Sequence, residues 1–362
     1  MVCLSCVTLP ASLYNQLPIE REDFRIKMDR LTLYKAASVH ASPVYLDLDA
    51  TVEKACTLIE EAAANGAKLI VFPEVYIPGY PYWIWTHTPR NGAPLFARLF
   101  KNAVEIPGAA TKKLGMAAKK AGSFVVMGMS ERSGNSLYNT LLYFDDHGEI
   151  IGKHRKLQPT MTERIIWGRG DGGDLNVYDT RLGKIGGLIC WEHTMDLARF
   201  ALISQGEQVH ISAYPGISAL KHDPQSGIFD NVADAAIRHH ALCAQSYVIC
   251  AMTPIAQDTL EIVGLADQPD MMQTGGGMSG IVGPNGQYVA GPHKGSEEKI
   301  LYADIDLDER IFIKYACDPM GHYGRPDVLR LKFNNSPQPY VESFELFGTN
   351  TDFQPENTPD PV

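Results

Sequence analysis

A layered α/β domain is predicted from the sequence by three observations. Short apolar runs of strand length alternate with longer segments that carry apolar residues at three- and four-residue steps. Glycine or Asn-Gly stands where several of those segments should end. No internal repeat or linker divides the 362 residues, which favours one domain over two independent ones. Residues 1–30 read as an extension, polar and charged around 20–30, that adds little to the core. The alternation starts with a strand at 33–40. Asp49 is the expected cap of a helix with Val52, Ala55, Cys56, Ile59, Ala62 and Ala63 on one face and Asn65-Gly66 at its end. A buried strand at 68–72 delivers Glu74 at its carboxyl end. Ala110, Leu114, Ala117, Ala118 and Ala121 mark a second helix, stopped by Gly122 before a strand at 124–129. Strands at 138–144 and 149–153 flank Asp145-Asp146-His147-Gly148, a hairpin turn. The run Ile185-Gly186-Gly187-Leu188-Ile189 leads into Cys190, and behind it Leu197, Phe200, Ala201 and Ser204 outline a helix closed by Gly206. A strand at 208–213, a helix at 233–244 and a strand at 247–253 follow. Gly275-Gly276-Gly277 precedes a last hairpin that turns at Pro284-Asn285-Gly286, and the final strand ends near Asp306. Beyond about Phe347 the chain is polar and proline-rich and reads as a disordered tail.

With 45% hydrophobic and 20% charged residues, the chain can bury a sizeable core as an ordinary globular protein. A formal net charge of −10 argues against nucleic acid or an anionic membrane surface as a partner. No stretch approaches the length of a membrane span, and residues 1–18 lack the basic start of a secretory signal. The 7 cysteines are odd in number and scattered, so no disulfide framework is indicated and a cytoplasmic location is expected. Cys3 and Cys6 lack a second pair at metal-ligand spacing and read as terminal thiols without a role.

Chemistry concentrates at three predicted strand ends, where open α/β sheets build their sites. Cys190 is placed as a nucleophile, with a following helix start whose free N–H groups and partial positive charge favour thiolate. Glu74, in Phe72-Pro73-Glu74, is held by a rigid proline just past a buried strand, so it is poorly solvated and suited to act as a base near neutral pH. Lys156 closes a strand before Pro159. Alone, each has a plainer reading: a packed thiol, a loop carboxylate, a solvated basic face. Together they form a complete set for hydrolysis through a covalent thiol adduct, with the ammonium stabilising charge on the substrate heteroatom.

These segments resemble the nitrilase branch of the nitrilase/carbon–nitrogen hydrolase superfamily, from about Leu31 to Pro326. Phe72-Pro73-Glu74 with Pro78-Gly79-Tyr80-Pro81-Tyr82-Trp83 is similar to the family's glutamate motif, and Arg155-Lys156-Leu157 to its lysine motif. Thr162-Glu163-Arg164, with Trp167-Gly168 behind it, resembles the segment with the family's second active-site glutamate, matched by Glu163. Gly187-Leu188-Ile189-Cys190-Trp191-Glu192-His193 resembles the nucleophile motif as nitrilases rather than amidases carry it. Gly275-Gly276-Gly277-Met278-Ser279 and His322-Tyr323-Gly324-Arg325-Pro326-Asp327 are further nitrilase-branch segments. Asp196 departs from the pattern, standing where proline or a small hydroxyl residue is usual.

The resemblance implies a four-layer α-β-β-α sandwich over residues 31–310, with 311–362 a C-terminal region that makes oligomer contacts. It implies a homo-oligomer built from dimers, extending in many members to spirals or filaments. The implied activity is conversion of organic nitriles and water to carboxylic acid and ammonia, without cofactor or metal, through Cys190, Glu74, Lys156 and Glu163. Trp191, Trp167, Tyr80, His193 and Thr194 are the candidate substrate contacts. Alternatives on the same fold are cyanide hydratase or dihydratase and aliphatic amidase chemistry. A non-catalytic filament protein is set against the retention of Glu74, Lys156 and Cys190.

Other signals are set aside. Gly168-Arg169-Gly170-Asp171-Gly172-Gly173 fits a dinucleotide motif only literally, since the following 175–178 reads as a strand rather than a helix. His239, His240 and Cys243 make at most a partial ligand set. Gly-x-Ser-x-Gly is absent. His193 suggests a Cys-His dyad, but a structural or pocket-lining role is the stronger reading.

Overall fold

β1 (Leu33–His40) is covered on both faces: Ala36 packs between two sheets, while Ala37 and Val39 pack against helices. A strand covered in this way is apolar without alternation. In the computed structural model, which describes residues 31–221 and 226–339, β1 matches its expected span. The expected extension at 1–30, the Cys3/Cys6 pair and the tail beyond Phe347 lie outside these residues.

Helix α1 (Leu48–Ala64) is capped by Asp47 rather than Asp49. Asp47 has the extended backbone a cap needs, φ −126° and ψ 107°, and accepts from the Ala50 N–H, while Asp49 faces the helix dipole from the first turn. The expected stripe is buried at Val52, Ala55, Ile59 and Ala62, with Cys56 and Ala63 at its margin. β2 (Ala67–Val71) follows. Helix α2 (Pro89–Lys101) is not signalled by the apolar pattern, since it contains Gly92 and Pro94 and is largely exposed. α3 (Ala109–Ala121) stops at Gly122 as predicted. β3 (Phe124–Ser133) runs past its expected end to form a tight hairpin with β4 (Ser136–Phe144), and β5 (Ile150–Arg155) completes the meander.

The second half contains β6 (Tyr178–Thr180), β7 (Gly183–Ile189), α4 (Asp196–Ser204), β8 (Val209–Tyr214), α5 (Phe229–Ala244), β9 (Tyr247–Met252), α6 (Gln257–Val263), β10 (Met278–Val282) and β11 (Tyr288–Lys294). β12 (Lys299–Asp306) returns to pair with β1, and α7 (Glu309–Ala316) follows. α6 and α7 are short helices missed by the sequence pattern. The helix behind Cys190 also differs from expectation. A 3-10 turn, Cys190–Thr194, comes first and rotates the helix face, so Ala198, Ala201 and Leu202 are buried and Leu197 is exposed. The strand expected at 175–178 begins only at Tyr178, because side chains of Asn176 and Gln205 take up hydrogen bonds along that stretch.

Two six-stranded sheets result, ordered β12-β1-β2-β3-β4-β5 and β11-β10-β9-β8-β7-β6. Ala36, Leu69, Val71 and Leu141 of the first share one core with Ile189, Ile211 and Ile249 of the second. α1 and α3 cover the outer face of the first sheet. α4 and α5 cover that of the second, giving the α-β-β-α order. β1-β2-β3 and β7-β8-β9 are parallel, so the carboxyl ends of β2 and β7 each present a loop at a sheet edge.

The loop after β2 lies directly on β3. A Cβ at Gly128 would stand 2.0 Å from the Pro73 carbonyl oxygen and 2.8 Å from the Val75 nitrogen. Gly128→Ala is expected to lower stability by about 1–3 kcal/mol through overpacking and to depress turnover by displacing Glu74. Urea denaturation with an unchanged midpoint in the variant would refute this.

Candidate active site

Glu74, Lys156, Glu163 and Cys190, all fully buried, come from three connections: after β2, between β5 and β6, and after β7. Glu74 follows β2 in a turn where Val75 has a positive φ of 46°. Lys156 lies one residue beyond β5, still tied to β4 by its N–H to the Asn139 carbonyl at 2.8 Å. Glu163 sits in the 3-10 turn Met161–Ile165 and accepts from the Thr160 N–H at 2.7 Å, closing its own cap. Cys190 begins the turn after β7 with φ 55°, a conformation costly for a side-chain-bearing residue and frequent at functional sites.

One ammonium organises the group. Lys156 Nζ donates to Glu74 Oε1 at 2.9 Å and to Glu163 Oε2 at 2.8 Å, which leaves one of its three N–H donors for other use. Glu163 Oε1 accepts from the Tyr80 hydroxyl at 2.8 Å, and Trp85 donates to that hydroxyl at 3.1 Å. Asn139 Nδ2 donates to Glu74 Oε1 at 2.6 Å. Glu74 Oε2 is buried and takes no hydrogen bond among the described residues.

Burial penalises every charge here, and the partners decide how far each resists. Burial pushes the Glu74 carboxyl up, Lys156 pulls it down and Glu163 raises it again, leaving it at about 7. Burial would lower Lys156, but Glu163 and then Glu74 outweigh it and hold the ammonium well above its usual range. Burial and then Glu74 push the Cys190 thiol well above its usual value, despite Lys156 and the Trp191 N–H. This corrects the expected resting thiolate. The helix proper starts only at Asp196, and two carboxylates outweigh one cation, so the thiol keeps its proton.

The nucleophile turn is fastened by a residue the sequence reading quoted but gave no role. Glu192, fully buried, accepts from the Ile189 N–H at 2.7 Å and the Leu157 N–H at 2.6 Å. Its oxygens also meet His154 Nε2 at 2.9 and 3.2 Å. Burial opposes both charges, but the pairing holds His154 above and Glu192 below their usual values. Asn139 is likewise absent from the sequence reading, although a polar amide inside the otherwise apolar run of β4 was a usable signal.

The expected substrate contacts divide. Tyr80 and Trp167 are buried beside Glu163, their rings 5.7 Å apart, and Trp167 donates to Ser130 Oγ at 3.0 Å. Trp191 is half-buried and stacks on Phe229. Thr194 is exposed, its hydroxyl donating to the Trp191 carbonyl. His193 is buried with Nδ1 2.6 Å from the Cys190 carbonyl oxygen, so it meets the backbone of the nucleophile rather than its thiol. Asp196 is exposed at the start of α4 and pairs with Arg199. His239, His240 and Cys243 do not converge: His239 meets Arg199 and Cys243, while His240 turns inward to Glu207. Glu207, His210 and His240 hold ligand-type atoms within 4.8 Å of one another, arranged as hydrogen-bond partners with one imidazole at each carboxylate oxygen.

Residues 35–315 match the family model described as carbon-nitrogen hydrolase. A nitrilase from Pseudomonas syringae pv. syringae is 42% identical, covering 85% of this chain and 91% of that protein. An aliphatic nitrilase from Rhodococcus rhodochrous is 42% identical over 83% of this chain and 82% of its own. Among solved structures, a carbon-nitrogen hydrolase from Helicobacter pylori G27 superposes with a TM-score of 0.66 at 21% identity, covering 82% of this chain and 96% of that one. The last is a likeness of fold.

Glu192→Gln leaves His154 without its buried counter-charge and is expected to cost about 3 kcal/mol. A drop in the denaturant midpoint at constant m measures it. Wild-type stability in the variant would mean that the pair contributes nothing net.

Proposed function

The chain belongs to the carbon–nitrogen hydrolase family, on its nitrilase branch, and from that premise we propose that it hydrolyses organic nitriles to carboxylic acids and ammonia. The observation that carries the reading is Glu74: one oxygen fixed by Lys156 and Asn139, the other buried and unengaged, on a carboxyl that titrates near neutrality. Such a group takes a proton from a thiol and returns it.

Glu74 Oε2 removes the Cys190 proton as sulfur bonds to the nitrile carbon, and the proton passes to nitrogen, giving a thioimidate. Water adds to that carbon with Glu74 as base. Glu74 returns that proton to nitrogen, which leaves as ammonia while the C=O of a thioester forms. A second water, deprotonated by Glu74, expels the Cys190 thiolate, which regains its proton, and the carboxylic acid departs. The remaining N–H of Lys156 and the Trp191 N–H are the donors available to the heteroatom on which negative charge develops. Glu163, steadied by Tyr80, keeps the ammonium charged and aimed. A thiol that is neutral at rest, activated only when Glu74 takes its proton, fits this sequence.

Assembly into homo-oligomers is supported by Ile311, Phe312 and Tyr315 on α7, which expose large apolar surfaces. Cytoplasmic residence is supported by five unpaired cysteines among the described residues. No described helix is long and apolar enough to cross a membrane.

A panel of aliphatic, aromatic and arylaliphatic nitriles, the matching amides and cyanide, read by ammonia release and product identification, tests the reading. Acid from organic nitriles is expected, and Cys190→Ala should lose more than about 10⁴-fold in kcat while staying folded. Turnover confined to amides or to cyanide would overturn it. Because Glu74 must be deprotonated to act and its pKa is raised, kcat/KM should fall as pH drops through about 7. A kcat/KM that stays flat down to pH 5 would remove Glu74 as the base.

A further inference from the structure

Behind the nucleophile runs a second buried polar chain that the proposed mechanism does not use. His193 Nδ1 stands 2.6 Å from the Cys190 carbonyl oxygen, and its Nε2 is 2.9 Å from His210 Nε2. His210 Nδ1 is 2.8 Å from Glu207 Oε1, and Glu207 Oε2 is 2.8 Å from His240 Nε2. Ser212 Oγ also approaches His193 Nε2, at 2.9 Å. All five side chains are buried. β7 makes room for the chain: a Cβ on Gly186 would stand 2.3 Å from Glu207 Oε1.

Counting protons fixes the charge. A carbonyl only accepts, so His193 Nδ1 carries a hydrogen. Glu207, held down at about 2 by His210 and His240 against the effect of burial, is a carboxylate, so His210 Nδ1 carries one as well. The Nε2···Nε2 contact needs a third. Two neutral imidazoles hold two protons, so the His193–His210 pair carries one positive charge, balanced by Glu207. His193 is pushed well below its usual value by burial and then by His210. Arg199, Arg310, Tyr143 and Tyr214, the last stacked on His193, are other charged or titratable groups beside the chain.

The carbonyl that receives this hydrogen bond belongs to the Cys190–Trp191 peptide, whose N–H faces the thiol. A hydrogen bond accepted at the oxygen of a peptide strengthens its N–H as a donor. We propose that His210, acting through His193, is a positioning residue for the reaction: the positive charge held by the buried His193–His210 pair polarises the Cys190–Trp191 peptide so that its N–H better stabilises charge developing on the substrate heteroatom. The inference rests on Cys190 being the nucleophile of nitrile hydrolysis.

The test compares the wild-type enzyme with His210→Gln, whose amide can still donate to His193 but without charge, with His193→Asn, which keeps a donor near the Cys190 carbonyl, and with His193→Ala. For the best nitrile, His210→Gln should lower kcat about tenfold with KM changed less than about threefold. His193→Asn should retain more activity than His193→Ala. Unchanged kcat in His210→Gln, or His193→Asn no more active than His193→Ala, would overturn the proposal. Histidine ¹⁵N spectra of the wild-type enzyme at pH 7.5 should contain a ring protonated at both nitrogens with one N–H hydrogen-bonded to a nitrogen of another ring, distinct from His154, whose partner is the Glu192 carboxylate; a spectrum without such a ring would refute the proton count even if a variant fails to fold. Absence of nitrile turnover by the wild type would instead remove the functional reading and leave the spectrum as the test of the chain.

Discussion

A single ammonium, Lys156, shared between two buried carboxylates is the constraint around which this molecule is arranged. Without it two buried carboxylates would repel each other, and without them the cation would be too costly to bury. Holding three charges in contact demands fixed geometry from every element that supplies them, and each is tied at the backbone: Lys156 to β4, Glu163 within its own cap, Glu74 against β3. The balance is deliberately short of cation. Two carboxylates against one ammonium leave Glu74 near neutrality and Cys190 protonated, so the site stores a base and an acid in contact rather than a finished ion pair.

The sequence told much of this, for reasons that can be located. β1, α3 and the Asp145–Gly148 hairpin were legible because their apolar periods and stop residues agree with the final packing. α2 was hidden because Gly92 and Pro94 break its pattern and few of its side chains are buried. The cap of α1 was misplaced because two aspartates stand two residues apart and only backbone conformation distinguishes them. Glu74, Lys156 and Cys190 were recognisable as residue types at strand ends and Glu163 by family resemblance, but the charge states were not. The thiol was expected ionised from a helix start, and the outcome depends on a 3-10 turn and on Glu74, distant in sequence.

Residues of secondary importance in the reading turned out to carry most of the positioning. Tyr80 and Trp85 steady Glu163, Asn139 fixes one oxygen of Glu74, and His193 reaches the backbone rather than the thiol. His193 meets Cys190 within one turn, but Tyr80–Glu163 and Asn139–Glu74 are 83 and 65 residues apart, and the pairing of β2, β3, β4 and β5 in one sheet brings them together.

The tie made by Glu192 has a mechanical consequence. Lys156 hangs from one sheet and Cys190 from the other, and sheets packed through apolar side chains slide and breathe more readily than hydrogen-bonded strands do. Because one carboxylate grips both Ile189, just before the thiol, and Leu157, just after the ammonium, the separation of these two groups is set by a few bonds of about 2.7 Å rather than by the thickness of the core. The working parts thus share a common mount, and thermal drift between the layers moves them together instead of spoiling their alignment.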